Sequence, residues 1–105
     1  MAKGFGDIMK HAQRLQKQMM EMQEELSKKT VEGTAGGGMV RVVANGRQEV
    51  LQVKIDPEVV DPDDIELLED LIVAAIANAR DNSKAMMEAE IGKFLPGGID
   101  SLGIP

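Results

Sequence analysis

The chain has 105 residues, two of them aromatic, and a formal net charge of −6 at pH 7. That length suits one domain with a small core, of the kind that often completes its burial by association. The absence of cysteine excludes disulfides and thiolate metal sites and agrees with a reducing cytoplasm; no apolar run nears the ~20 residues of a membrane span, and two phenylalanines are too few for an aromatic platform that stacks single-stranded bases.

The opening residues, MAKGFGD, lead into a helical pattern rather than a signal peptide, so a soluble cytoplasmic protein is expected. Residues 5–29 are predicted to be the first helix. Phe5, Ile8, Ala12, Leu15, Met19, Met22 and Leu26 recur at spacings of three and four, a stripe that implies a seam against another helix. Glu24 and Lys28, and Glu25 and Lys29, are i,i+4 pairs in the favoured order. At ~1.5 Å per residue this helix is roughly 37 Å long, whereas a six-residue strand spans only ~20 Å. About half of the helix must therefore project beyond any sheet, with its apolar stripe needing cover.

Residues 30–56 read TVEGTAGGGMVRVVANGRQEVLQVKID, three strand-like runs split by Gly36-Gly37-Gly38 and by Asn45-Gly46. The expectation is a three-stranded antiparallel meander with one buried face. Asn-Gly suits a two-residue type I′ turn, which would set Ala44 against Arg47, Val42 against Glu49 and Val40 against Leu51. One face would then carry Val40, Val42, Ala44, Leu51 and Val53. The three glycines could form an anion-binding nest, but no GK[ST] follows and a hairpin turn is the expected reading.

Residues 56–60 suggest a single helical turn. Asp61 is then expected to cap the last helix, with Pro62 at its first position and acids at its positive end. That helix is expected to run to about residue 93, with a break near Asn82 allowed. Residues 71–77 are apolar all round, which implies burial on more than one side. A single domain over residues 1–94 and a loose tail over residues 95–105 complete the reading.

Charge is unevenly placed. Residues 1–54 hold nine Lys/Arg against six Asp/Glu, and residues 55–105 hold three against twelve. If the two long helices pair antiparallel, the start of the first lies beside the end of the last. The arm so formed would carry Lys3, Lys10, His11, Arg14, Lys17, Lys84 and Lys93, leaving the acids on the body. Lys10, Arg14 and Lys17 share one face at i, i+4 and i+7. By spacing alone that is a solvated helix face or a phosphate-binding one. His11 has no partner acid, nucleophile or second ligand in the pattern and reads as surface polar. The acids of residues 56–70 lack the order of a calcium loop and serve capping and solubility. The methionines at 19, 20, 22, 86 and 87 read as core or interface filler. No catalytic constellation, metal site or cofactor motif emerges.

Four stretches, MKHAQRLQKQMMEMQEEL, VEGTAGGGMVRVVANG, VKIDPEVV and LLEDLIVAAIANAR, resemble the YbaB/EbfC family of bacterial nucleoid-associated proteins, in order and over nearly the whole chain. The resemblance implies an α+β fold of helix, three-stranded antiparallel meander and helix. It also implies a tweezer-like homodimer that binds duplex DNA in the nucleoid with little sequence preference, without a cofactor and without catalysis. Its DNA-contacting residues are charged groups on the arms, here Lys10, His11, Arg14 and Lys17, with Lys3 and Lys84 as further candidates. The second arm departs from the pattern, because residues 81–88 are nearly neutral where relatives can carry several bases. The alternative is a protein-interaction module that grips a partner between the arms or engages a basic partner through the acidic body.

Overall fold

A computed structural model describes residues 2–94, with the side chains of residues 4–93; the tail expected at residues 95–105 lies outside the described residues. Helix α1 (Ala2–Lys28) leads into strands β1 (Thr30–Ala35), β2 (Val40–Asn45) and β3 (Val50–Ile55). A 3-10 turn (Pro57–Val59) and helix α2 (Ile65–Phe94) follow. The expected element order is observed. The molecule is elongated, 74 × 28 × 17 Å.

The sheet is an antiparallel meander in the order β1-β2-β3. Its first turn needs glycine for conformational reasons, since Gly36, Gly37 and Gly38 all have φ between 64° and 92°. The second hairpin departs from expectation. Val40 pairs with Ile55 and Val42 with Val53, not with Leu51 and Glu49, and a bulge brings Val50 opposite Ala44. The reason lies in the loop. Gly46 is not at positive φ; Gln48 takes that role at 63°. The loop closes through Gln48 N–H to Asn45 O, 3.1 Å, and Asn45 N–H to Glu49 O, 3.0 Å. The shift of four residues is even, so Val40, Val42 and Val53 still share a face.

Helix α2 lies over β1 and β2. Val40, Val42 and Ala44 are fully buried with Ala75 and Ala79, and Leu68, Leu71, Ile72 and Ile76 pack around them. Gly33 makes this closeness possible: a Cβ there would stand 2.5 Å from the Ala75 carbonyl oxygen and 2.6 Å from Ala79 Cα. Asn78 and Asn82, where the apolar pattern fades, do not break the helix. Asn78 Oδ1 accepts from Thr34 N at 3.0 Å, and Asn82 Nδ2 donates to Glu32 O at 2.8 Å. These two side chains close the outer edge of β1. The edge of β3 has no such cover among the described residues, and all six of its residues are exposed, so the buried face stops at β2. The helix cap also differs: Asp64 accepts from Leu67 N at 3.2 Å, while Asp61 stabilises the preceding turn through Asp63 N at 2.9 Å. Asp56 caps the 3-10 turn at Glu58 N, 2.9 Å.

Candidate nucleic-acid interface

Among the described residues, helix α1 is buried against the body only at its foot. From residue 4 to residue 21 every residue except Gly6 is exposed, whereas Met22 and Leu26 are buried. Helices leave their last carbonyls without intrahelical partners, and the β2–β3 loop supplies the missing donors. Gly46 N–H donates to Leu26 O at 2.8 Å and to Lys29 O at 3.1 Å, and Asn45 Nδ2 donates to Ser27 O at 3.3 Å. Gly46 is therefore required for space, because a Cβ there would stand 2.8 Å from the Leu26 carbonyl oxygen. Gly46→Ala is expected to lift the foot and cost about 1–3 kcal/mol, measured by urea unfolding, with faster amide exchange at residues 26–29.

Asn45 is the joint of the molecule. Only 3% exposed, its Oδ1 accepts from Arg47 N and Glu49 N, both at 3.0 Å, and its Nδ2 also donates to Glu49 Oε1 at 2.9 Å. Fully buried Ser83 links the same loop to α2, donating to Asn45 O at 2.6 Å and accepting from Gln48 N at 3.1 Å. A second tie joins the helices directly. Lys29 Nζ donates to Glu90 Oε1 at 2.6 Å, and Lys93 Nζ reaches the same oxygen at 3.1 Å.

The Lys29 hydrogen bond, then that of Lys93, holds the Glu90 carboxyl below its ordinary 4.5, and the Glu90 hydrogen bond raises Lys29 above 10.5. A lowered carboxyl pKa adds stability that is complete above 4.5 and fades as pH falls through the lowered value. A raised lysine pKa adds stability that is lost only as pH rises past it. The tie is thus intact at neutral pH, and acidification below 4.5 is expected to loosen it. Amide exchange at Lys29 and Gly46 that accelerates there in wild type, but not in Glu90→Gln, is the expected reading.

These contacts correct the expected arm. The two helices meet where α1 ends, not where it begins. The reason is length: α2 is spent on the sheet as far as Ser83, leaving eleven residues, about 16 Å, to overshoot it. The 27 residues of α1 reach about 40 Å. Lys84 therefore lies at the level of the β2–β3 loop, apart from the α1 bases, and Lys93 is bonded to Glu90.

Lys10, His11, Arg14 and Lys17 are all exposed on the projecting part of α1, and Lys3 lies in its first turns. At 100° per residue, Lys10, Arg14 and Lys17 fall within about 60° of one another and opposite the stripe of Ile8, Leu15, Met19, Met22 and Leu26. Asp7 and Glu21 flank the trio, but among the described residues no carboxylate pairs with any of the three. From residue 2 to residue 20 the helix holds four bases and one acid. His11 sits on the flank of this face. Spacing identifies this trio, but it assigns Lys29 to Glu25, whereas the Lys29 ammonium bonds Glu90, 61 residues away. Among the described residues no three acid, histidine or cysteine side chains gather to hold a metal ion, and no helix is long and apolar enough to cross a membrane.

A family model described as the YbaB/EbfC DNA-binding family matches residues 1–99. The chain is 55% identical over 106 aligned positions to a nucleoid-associated protein of Syntrophobacter fumaroxidans, covering all of this chain and 96% of that one. It is 50% identical over 93 residues to nucleoid-associated protein TTE0040 of Caldanaerobacter subterraneus, covering 89% and 84% of the two chains. Among solved structures, uncharacterized protein HP0035 from Helicobacter pylori superposes with a TM-score of 0.73 over 85% of this chain and 94% of that one. At 19% identity that likeness is one of fold.

Proposed function

Since this chain belongs to the YbaB/EbfC DNA-binding family, we propose that it binds duplex DNA as a homodimer, through the basic face of a projecting helix and with little sequence preference. It acts by binding, not by catalysis, and works on the nucleoid. The observation that carries the reading is the trio Lys10, Arg14 and Lys17, exposed on an arm clear of the body and free of ion pairs among the described residues. Lysine and arginine attract phosphates whatever the base sequence, so backbone contact and duplex shape dominate over base readout.

The uncovered apolar surface supports the dimer. Phe5, Ile8, Leu15 and Met19 are 49–69% exposed on α1, Val50, Leu51, Val53 and Ile55 are 37–56% exposed on β3, and Val73 is 67% exposed on α2. A second copy would cover them. With β1 already closed by Asn78 and Asn82, the open edge of β3 is where a second sheet has room to pair. Sedimentation equilibrium is expected to give twice the 11.4 kDa chain mass at micromolar concentration; a stable folded monomer there overturns the dimer.

Duplex titration at two salt concentrations tests the binding. Six phosphate contacts from two trios predict log K falling with log salt at a slope of about −5. No binding at low salt, or binding indifferent to salt, would reject the reading. A second reading, a protein-interaction module, rests on the body: residues 56–70 hold eight acids and no base. Partners captured from lysate that persist after nuclease treatment favour it; partners that vanish favour DNA.

A further inference from the structure

We propose that Asn45-Gly46 is a site of spontaneous deamidation, kept dormant by the seated foot of α1 and released when that foot lifts. The sequence supplies the reactive pair. Glycine has no side chain, so its backbone nitrogen is the least hindered nucleophile available to a preceding asparagine. In the reaction the Gly46 amide gives its proton to base and its nitrogen bonds to Asn45 Cγ. The bond from Cγ to the side-chain nitrogen breaks, and that nitrogen takes the proton back from the base and leaves as ammonia. The resulting five-membered succinimide then takes up one water and opens to aspartate or to isoaspartate. Amide and water become acid and ammonia, and no other reactant enters.

The fold blocks each requirement of this step. The Gly46 N–H is held between the carbonyl oxygens of Leu26 and Lys29 at 2.8 and 3.1 Å, so its proton is not open to base. The electrophilic amide is pinned from both ends. Oδ1 accepts from Arg47 N and Glu49 N, and Nδ2 donates to Ser27 O and Glu49 Oε1, so Cγ cannot swing over the Gly46 nitrogen. At 3% exposure Asn45 is also shielded from water. Three of these restraints, the Leu26, Ser27 and Lys29 carbonyls, belong to the end of α1 and the residue after it. They leave together when the foot lifts.

The product does not permit return. A carboxylate oxygen in place of Nδ2 faces two acceptors, Glu49 Oε1 at 2.9 Å and Ser27 O at 3.3 Å, where two donated hydrogen bonds stood. A buried oxygen facing acceptors carries the full cost of an unmade bond beside a like charge. Isoaspartate adds a backbone atom inside the Asn45–Glu49 closure, which the 3.0 Å bond between them does not accommodate. Each lift of α1 therefore risks a one-way loss of the seated arm.

The test uses the full chain at neutral pH, in native buffer and in concentrated urea, followed by peptide mass spectrometry for the exchange of NH2 for OH at Asn45 and by isoaspartate detection. Native chain is expected to react about a hundredfold more slowly than unfolded chain, the ratio set by how rarely the foot opens. Lys29→Ala, at an exposed position, and Leu26→Ala are both expected to raise the native rate while amide protection in β1 and β2 persists. Should Leu26→Ala not fold, Lys29→Ala carries the test. Asn45→Asp is expected to lose protection at the Gly46 amide. Equal rates in folded and unfolded chain, a native rate unmoved by Lys29→Ala, or wild-type protection of Gly46 in Asn45→Asp would each overturn the proposal.

Discussion

Gly33→Ala is expected to cost more than about 4 kcal/mol, the range reserved for changes the structure cannot absorb. The added methyl would meet main chain, with Ala79 N closest and the Ala75 carbonyl oxygen at 2.5 Å. No rotamer relieves a clash of that kind; the whole of α2 must move off β1. Moving it uncovers Val40, Val42 and Ala44, all at 0% exposure, and stretches the bonds of Asn78 to Thr34 and Asn82 to Glu32. Ser83, fully buried and bonded twice to the β2–β3 loop, moves with it. A domain stabilised by about 5–15 kcal/mol has little margin for that loss. Urea unfolding by circular dichroism is the measurement. Gly92→Ala is the control, since nothing lies within 4 Å of its added Cβ, and it is expected to be neutral or to stabilise the helix by up to about 1 kcal/mol. Equal behaviour of the two variants would mean that α2 does not press on β1 through Gly33.

The element order and the projecting first helix were legible because each rests on a local period. A stripe at three and four gives a helix, and three consecutive glycines between strand-like runs give a turn. The hairpin register was not legible, because its deciding contacts are distant in sequence. Asn45-Gly46 has the composition of a two-residue turn, yet Gly46 N–H is claimed by the end of α1 and Gln48 N–H by Ser83, 35 residues away. Those bonds stretch the loop and move positive φ onto Gln48. Asn78 and Asn82 show the same principle from the other side: they interrupt the apolar pattern of α2 because their work is to bond the edge of β1. For the candidate interface, spacing was enough to place Lys10, Arg14 and Lys17 on one face. It could not separate Lys84 from them, since that depends on how much of α2 the sheet consumes.

Changing Lys10, Arg14 and Lys17 together to glutamate is expected to lower duplex affinity by about a thousandfold or more near physiological salt, and to flatten the salt dependence. All three are exposed and lie on the projecting half of α1, so the fold is expected to change by no more than about 0.5 kcal/mol. The obvious objection is the net charge of −6. It is answered by distance. Lys17 stands ten residues, about 15 Å, above Ser27 at the foot of α1, and the screening length at physiological salt is about 8 Å. A phosphate at the arm therefore feels the trio strongly and the acids of residues 56–70 weakly. Charge changes on the body separate local contact at the arm from overall charge. Neutralising Asp63 and Asp64 to asparagine removes two negative charges, yet affinity at physiological salt is expected to stay within about twofold, because those charges are screened from the arm. Lys84→Glu, at the level of the β2–β3 loop, is likewise expected to matter far less than any one change in the trio. If the three single reversals Lys10→Glu, Asp63→Lys and Lys84→Glu shift affinity only in proportion to the charge they add or remove, binding follows the bulk field of the chain and the arm has no special role.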